Sequence, residues 1–337
     1  MQGFLIVRLG ALGDIIQALP VAAALRARYP KARIGWVADE RYAELLDLVP
    51  VIDRRIVLKT NSLPLWFRIK DLRASLLREP YDVTIDVQGL VKSAVVARLS
   101  KAPRVVGFDA SHLREAPARL CYTETSGPVQ PGHVIEKNLA LAATLGAETV
   151  PVRFPLEVPE SAALEQLRAK GAITGFAPFV VLNPGAAWPN KRWPPERFGE
   201  VGQWLRRELG LLSVVTWGVG ERSVAEAVVA GSGGAAQLAP VTRIADLAAI
   251  FREARLVVSG DTGPAHLAAA LGTPVVGLHG PTDPLRNGPW LENNSTVSRF
   301  AECRCRYRRR CQVSQWCLED ITVGAVTAAI VRRLADL

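Results

Sequence analysis

Two polar turns stand close together in SGDTGPAHLAAALGTPVVGLHGPTDP, residues 259–284. The apolar run Leu256–Val258 ends at Ser259-Gly260-Asp261-Thr262-Gly263, and a small-residue helix is predicted from Pro264 to Leu271. A second apolar run, Pro274 to Leu278, ends at His279-Gly280-Pro281-Thr282-Asp283-Pro284. Both turns then fall at strand carboxyl ends, where open α/β sheets bind ligands. The N–H groups of a helix start, approached closely at Gly263, suit an anion such as a diphosphate. Asp261 can cap that helix, and its remaining oxygen can accept hydrogen bonds from sugar hydroxyls. His266 is placed to orient the turn or a ligand in it. The plainer reading makes Asp261 and Thr262 helix caps and the glycines turn residues. Two polar turns on neighbouring strands weigh against it.

Three further groups of residues have chemistry in reach. In VRLGALGDIIQALP (residues 7–20), Asp14 follows Gly10 and Gly13 at a predicted helix start. The spacing is not GxGxxG, so a dinucleotide site is poorly supported. Asp14 reads either as a helix N-cap or as a general base kept ionised by the helix start. The same field weakens the base, which suffices if an acceptor hydroxyl loses its proton late. In NPGAAWPNKRWPPERF (residues 183–198), Lys191 is a point charge suited to phosphate or a solvated loop lysine, with Arg192 as the alternative. Near the C-terminus, Cys303, Cys305, Cys311 and Cys317 lie among Arg299, Arg304, Arg306, Arg308, Arg309 and Arg310. Four thiols could hold one tetrahedral zinc, but CxC-x5-C-x5-C lacks paired CxxC knuckles, and the reading takes no metal. His133 and His279 read first as structural histidines.

The elements that must position these residues alternate. Strands are predicted at 4–8, Ile34–Ala38, Arg55–Leu58, Val83–Val87 and Arg104–Phe108. Helices fall at Leu63–Arg78, Leu90–Leu99, Val134–Leu145 and from Asp14 towards Arg28, the last kinked or broken at Pro20. Residues 149–159, with Pro151, Pro155 and Pro159, read as an extended linker. A second alternation follows: strands Val180–Asn183 and Leu212–Trp217, with helices at Pro195–Glu208, Arg222–Val229 and Ile244–Glu253. Strands alternating with helices imply parallel sheets covered on both faces. The expected domains are 1–155 and 156–320, with a final helix, 321–337, packing back on the first.

A chain of 337 residues is too long for one ordinary core. No apolar run of about eighteen residues offers a membrane span. The N-terminus enters FLIVR without an export-signal pattern, which predicts a cytosolic protein. The net charge of +9 favours anionic partners, yet no nucleic-acid module is recognisable. Anionic lipid or a phosphorylated acceptor is the better match, and nucleic acid is not expected.

DTG-x-x-H followed by GPTDP at this spacing resembles the donor segment of the lipopolysaccharide heptosyltransferases of glycosyltransferase family 9. YDVTIDVQGLVKSA (81–94), GWVADE (35–40) and Arg114-Glu115-Ala116-Pro117 are similar to the type I branch, which adds the first heptose. The resemblance implies a GT-B fold: two Rossmann-like α/β domains facing a central cleft, acceptor in the first and nucleotide-sugar in the second. It implies transfer of L-glycero-D-manno-heptose from ADP-heptose to Kdo of the lipid A inner core, inverting, with no cofactor. It also implies a peripheral enzyme on the cytoplasmic face of the inner membrane. By resemblance Asp14 is the base. Lys191, Thr262 and Gly263 hold the diphosphate, Asp261 holds sugar hydroxyls, and His266, Thr282 and Asp283 complete the donor site. Gln88, Lys92, Arg114 and His133 face the acceptor. The family's arginine-rich stretch after the third strand is here LKTNSLPLWFR, with only Lys59 and Arg68, a departure at the acceptor side. Other readings are a family 9 transferase for the second heptose or a different sugar, a nucleotide-sugar epimerase on the same fold, and a non-catalytic basic protein on membranes.

Overall fold

The computed structural model describes residues 3–59, 65–127, 132–169, 171, 173, 177–290, 295–314 and 316–335, with only the backbone for 65–68. The predicted start of the third helix at Leu63, the side chain of Arg68 and the final two residues lie outside the described residues. The chain divides into two units, Met1–Glu157 and Val158–Leu337.

The first unit runs β1 (Gly3–Val7), α1 (Leu12–Ile16), α2 (Leu19–Arg28), β2 (Arg33–Asp39), β3 (Arg54–Leu58), α3 (Leu65–Leu77), β4 (Val83–Asp86), α4 (Val91–Leu99), β5 (Arg104–Gly107), β6 (Glu124–Thr125) and α5 (Val134–Ala143). All strands pair in parallel, in the order β3-β2-β1-β4-β5-β6. All five residues of β1 are buried, as an unbroken apolar run must be when helices cover both faces. The predicted single helix from Asp14 is two. α1 ends at Ile16, and Pro20 sits in the first turn of α2, where its missing N–H deprives no carbonyl.

The second unit runs α6 (Ala162–Ala169), β7 (Phe179–Asn183), α7 (Pro195–Leu209), β8 (Leu212–Val215), α8 (Arg222–Gly231), β9 (Ala236–Leu238), α9 (Ile244–Glu253), β10 (Leu256–Gly260), α10 (Gly263–Ala270), β11 (Val275–His279), α11 (Pro284–Asn287), β12 (Ser295–Ser298) and α12 (Val323–Ala335). Its sheet is ordered β12-β11-β10-β7-β8-β9, again parallel throughout. Counted from each unit's own first strand, both sheets follow the doubly wound order 3-2-1-4-5-6. Each therefore has a point where the strand order reverses, between β1 and β4 and between β7 and β10.

The final helix belongs to the second unit. α12 packs on α7, β11 and β12 of the second unit. Val326, Ala329 and Ile330 join that unit's core together with Leu318 and Ile321. Their three- and four-residue spacing makes one apolar stripe, and the β11–β12 side of the second sheet is what it covers.

Candidate active site

In the second unit a buried polar network spans the strand ends at the reversal point. Asn183 closes β7. Its side-chain amide donates to Ser259 Oγ at 3.0 Å, and its oxygen accepts from Thr216 Oγ1 at 3.1 Å. Ser259 Oγ lies 3.1 Å from Thr262 Oγ1. Thr262 thus bonds sideways, and although it occupies the N-cap position of α10, its side chain does not cap that helix. The start of α10, at Gly263, keeps first-turn amides and the positive end of the helix dipole for an anion.

Asp261 does not cap the helix, contrary to expectation. Its Oδ2 accepts from Lys191 Nζ at 2.5 Å and its Oδ1 meets His266 Nε2 at 3.2 Å. Burial alone would raise this carboxyl's pKa. The hydrogen bond from His266 and the charge of Lys191 reverse that, holding Asp261 well below the usual carboxylate range. Lys191 also donates to the Asp261 carbonyl at 3.3 Å and lies 4.5 Å from the centre of the Trp188 ring. Trp193, fully buried, donates to the Ile321 carbonyl and pins this loop to the lead-in of α12. At Gly260 a Cβ would stand 2.7 Å from the Lys191 carbonyl oxygen, so the strand end needs glycine for the loop to come this near. Arg192 bonds within its own loop, Nε to the Ala186 carbonyl at 2.8 Å, so Lys191 is the cation that reaches Asp261.

The second turn is built differently. Asp283 N-caps α11, accepting from the Leu285 N–H at 3.0 Å. Among the described residues, buried Thr282 has no partner for its hydroxyl, and neither ring nitrogen of the fully buried His279 completes a hydrogen bond. Burial lowers the His279 pKa to about 4, against the pull of Asp261 and the nearby Thr282 backbone. Its imidazole is neutral near neutral pH.

In the first unit the reversal point holds Asp14. It is the third residue of α1 and not its N-cap; its Oδ2 accepts from the Ala11 N–H at 2.9 Å. The same oxygen pairs with Arg8 at 2.9 Å, while Arg8 also donates to the Val87 carbonyl beyond β4. Oδ1 takes no hydrogen bond among the described residues, and the side chain is 42% exposed. Gln88 Oε1 accepts from the Leu9 N–H at 2.9 Å, joining the same two strand ends. The turn after β4 is organised by Asp86, fully buried, which accepts from Tyr122 Oη at 2.7 Å, Ser93 Oγ and the amides of Gln88 and Gly89. Burial raises its pKa, and these donors oppose the rise.

Lys92 and Arg114 are exposed. They are brought near each other because Glu115 Oε2 accepts from the Val91 N–H at the start of α4. His133 is the N-cap of α5, its Nδ1 accepting from the Ile135 N–H at 3.2 Å, which is a structural task. Lys59 pairs with Asp71, and residues 60–64 of the departing stretch lie outside the described residues. Arg8, Asp86, Asn183 and Ser259 escaped the sequence reading. The available signal was a polar residue closing each apolar strand run.

A profile described as glycosyltransferase family 9 (heptosyltransferase) matches residues 69–317. The chain belongs to this family. Lipopolysaccharide heptosyltransferase 1 of Pseudomonas aeruginosa is 32% identical over 318 residues, covering 91% of this chain and 86% of the relative. The Escherichia coli K12 protein of that name is 29% identical over 298 residues, covering 86% of this chain and 91% of its own. A solved structure titled E. coli heptosyltransferase WaaC with ADP matches at TM-score 0.78 and 25% identity, covering 98% of this chain and all of that one. This family 9 glycosyltransferase therefore has the α/β GT-B fold, with two six-stranded parallel sheets. No helix among the described residues is long and apolar enough to cross a membrane.

Proposed function

We propose that this family 9 enzyme transfers L-glycero-D-manno-heptose from ADP-heptose to a Kdo residue on lipid A, inverting the anomeric centre. One observation carries the reading: the buried Lys191–Asp261 ion pair beside the uncapped start of α10, at the reversal point of the second sheet. An ammonium has three donors, and Asp261 takes two, so one remains for a diphosphate oxygen. The amides of α10 add fixed positive ends, and together they favour the departing ADP electrostatically without proton transfer. Asp261 and His266 are within reach of a sugar bound at that diphosphate. Asp14, with Oδ2 held by Arg8 and Ala11, offers Oδ1 to the acceptor hydroxyl as general base. One base and a single in-line displacement give inversion; retention would need a covalent carboxylate partner, by analogy with glycosidases.

Relatives named lipopolysaccharide heptosyltransferase 1 support this acceptor. An E. coli relative named lipopolysaccharide heptosyltransferase 3, 28% identical over 295 residues, favours a second reading in which the acceptor is a later core sugar. The enzyme would work on the cytoplasmic face of the inner membrane, drawn there by its net charge.

The test is ADP release from ADP-heptose with Kdo-lipid A, with heptosylated core, and with no acceptor. Release that depends on Kdo-lipid A is expected. Turnover on heptosylated core alone would select the second reading, and turnover without acceptor would point to an epimerase or hydrolase.

A further inference from the structure

The segment 299–317 holds four of the five cysteines and has little apolar matter of its own to fold around. Its described residues are mostly exposed, while Cys303 and Cys305 are buried. The four thiols converge. Cys305 and Cys311 have their sulfurs 2.9 Å apart, and Cys303 bonds to Cys317. The ring they close is fixed to the second unit at several points. Tyr307 N–H donates to the Pro281 carbonyl at 2.7 Å, Arg299 N–H to the His279 carbonyl at 2.8 Å, and Asn190 Nδ2 to the Arg308 carbonyl at 2.9 Å. Cys317 lies so close to the 279–284 turn that a Cβ on Gly280 would come within 2.9 Å of its sulfur.

We infer that Cys303, Cys305, Cys311 and Cys317 form a tetrathiolate site for a structural metal ion, zinc by its chemistry, which clips this arginine-bearing segment onto the 279–284 turn and the Lys191 loop. The sulfurs now stand as two close pairs. As the side chains stand, no group of three or more His, Cys, Asp or Glu among the described residues could hold a metal ion, so binding requires the thiols to rearrange. A tetrahedron with Zn–S of about 2.3 Å needs sulfurs about 3.8 Å apart. Cys305 and Cys311 must then part by about 0.9 Å, within reach of side-chain rotation in an exposed loop. Two disulfides would also satisfy the pairing, but they are neutral. Four thiolates around a divalent ion carry net negative charge, which the surrounding arginines, Arg304, Arg306, Arg308, Arg309 and Arg310, offset. Binding turns thiols into thiolates and releases their protons, with no change of oxidation state.

The full chain, purified without chelator, should carry about one zinc by elemental analysis. Replacing that ion with cobalt should give the thiolate charge-transfer and tetrahedral ligand-field bands. Cys303→Ser with Cys311→Ser should lose the metal, while Cys121→Ser should keep it. Trypsin gives a readout independent of catalysis: cleavage after Arg304–Arg310, mapped by mass spectrometry, should be slow with metal and fast after chelation. Iron in zinc's place, lost in the same variants, supports the site and changes only the ion. Metal-free protein with four free thiols, two disulfides by mass, or cleavage indifferent to metal would overturn it. None of these readouts requires a sugar donor, so they stand apart from the transferase assay.

Discussion

At the scale of single residues, the two carboxylates at the two reversal points have opposite surroundings. Asp14 is half-exposed with one oxygen open, whereas Asp261 is buried with both oxygens engaged. Asp14→Asn should lower kcat by about 10²–10⁴-fold, as loss of a general base does, while calorimetry shows ADP binding unchanged. A normal rate would reduce Asp14 to a partner of Arg8. Lys191→Ala should weaken ADP roughly tenfold or more, a charge-assisted hydrogen bond being worth about 1.5–3 kcal/mol. It should also lower the melting temperature, because it strands a buried carboxylate. Asp261→Asn releases Lys191, so ADP affinity should hold or rise while the extra affinity for ADP-heptose is lost. Equal losses for both ligands would mean Asp261 acts through the fold. His279 sets a pH window. Its pKa in the fold, about 4 against an ordinary 6.5, keeps it neutral while the unfolded chain takes up a proton. Its stability contribution is therefore complete above 6.5 and falls as pH drops towards 4, by up to about 3 kcal/mol. Asp261, whose carboxyl is likewise held low, keeps its charge, so its contribution is present above the ordinary carboxylate range and is lost only in stronger acid. Melting curves from pH 7 to 4.5 should show the decline, and His279→Gln should flatten it. An unchanged slope in that variant would assign the window elsewhere.

At the scale of elements, the acceptor candidates depend on how the turns after β4 and β5 are fastened. Asp86 and Ser93 fix the start of α4, and Glu115 brings the Arg114 loop to it. The backbones carrying Lys92 and Arg114 are thereby joined through Val91 and Glu115, while His133 serves α5 as its cap. Arg grips a carboxylate with two parallel bonds where Lys makes one. Arg114→Lys should raise the acceptor KM, more so as salt increases, with donor affinity unchanged. Normal acceptor kinetics would remove Arg114 from the site. The loop carrying Lys191 is likewise an element-scale device. Trp193 anchors it below, Asn190 ties it to the arginine segment, and Gly260 lets its backbone touch the strand end.

At the scale of the whole molecule, the net charge of +9 comes from 41 basic against 32 acidic residues. Near anionic lipid each well-placed cation contributes about 1 kcal/mol, screened over a Debye length of about 10 Å at 0.1 M salt. The protein should sediment with phosphatidylglycerol-containing vesicles at low salt and be released as salt rises. Equal binding to neutral vesicles, or none to anionic ones, would remove the membrane from the proposal.

By itself the sequence determined the alternation of strand and helix, because buried parallel strands must read as unbroken apolar runs and their crossover helices as longer stretches between. It also marked the two turns of residues 259–284 and the Asp14 turn, since glycine, aspartate and threonine at strand ends have few other uses. It missed β6, β9 and β12, which are short or half-polar, and it did not show that α12 covers α7, β11 and β12. Periodicity shows that a helix has an apolar face but not which surface it covers. Tertiary structure alone decided that Asp261 bonds Lys191 and His266 instead of capping α10. The two ends of that ion pair lie 70 residues apart, and only the pairing of β7 with β10 brings them together. The same holds for Arg8 and Asp14, whose roles depend on β4 lying beside β1.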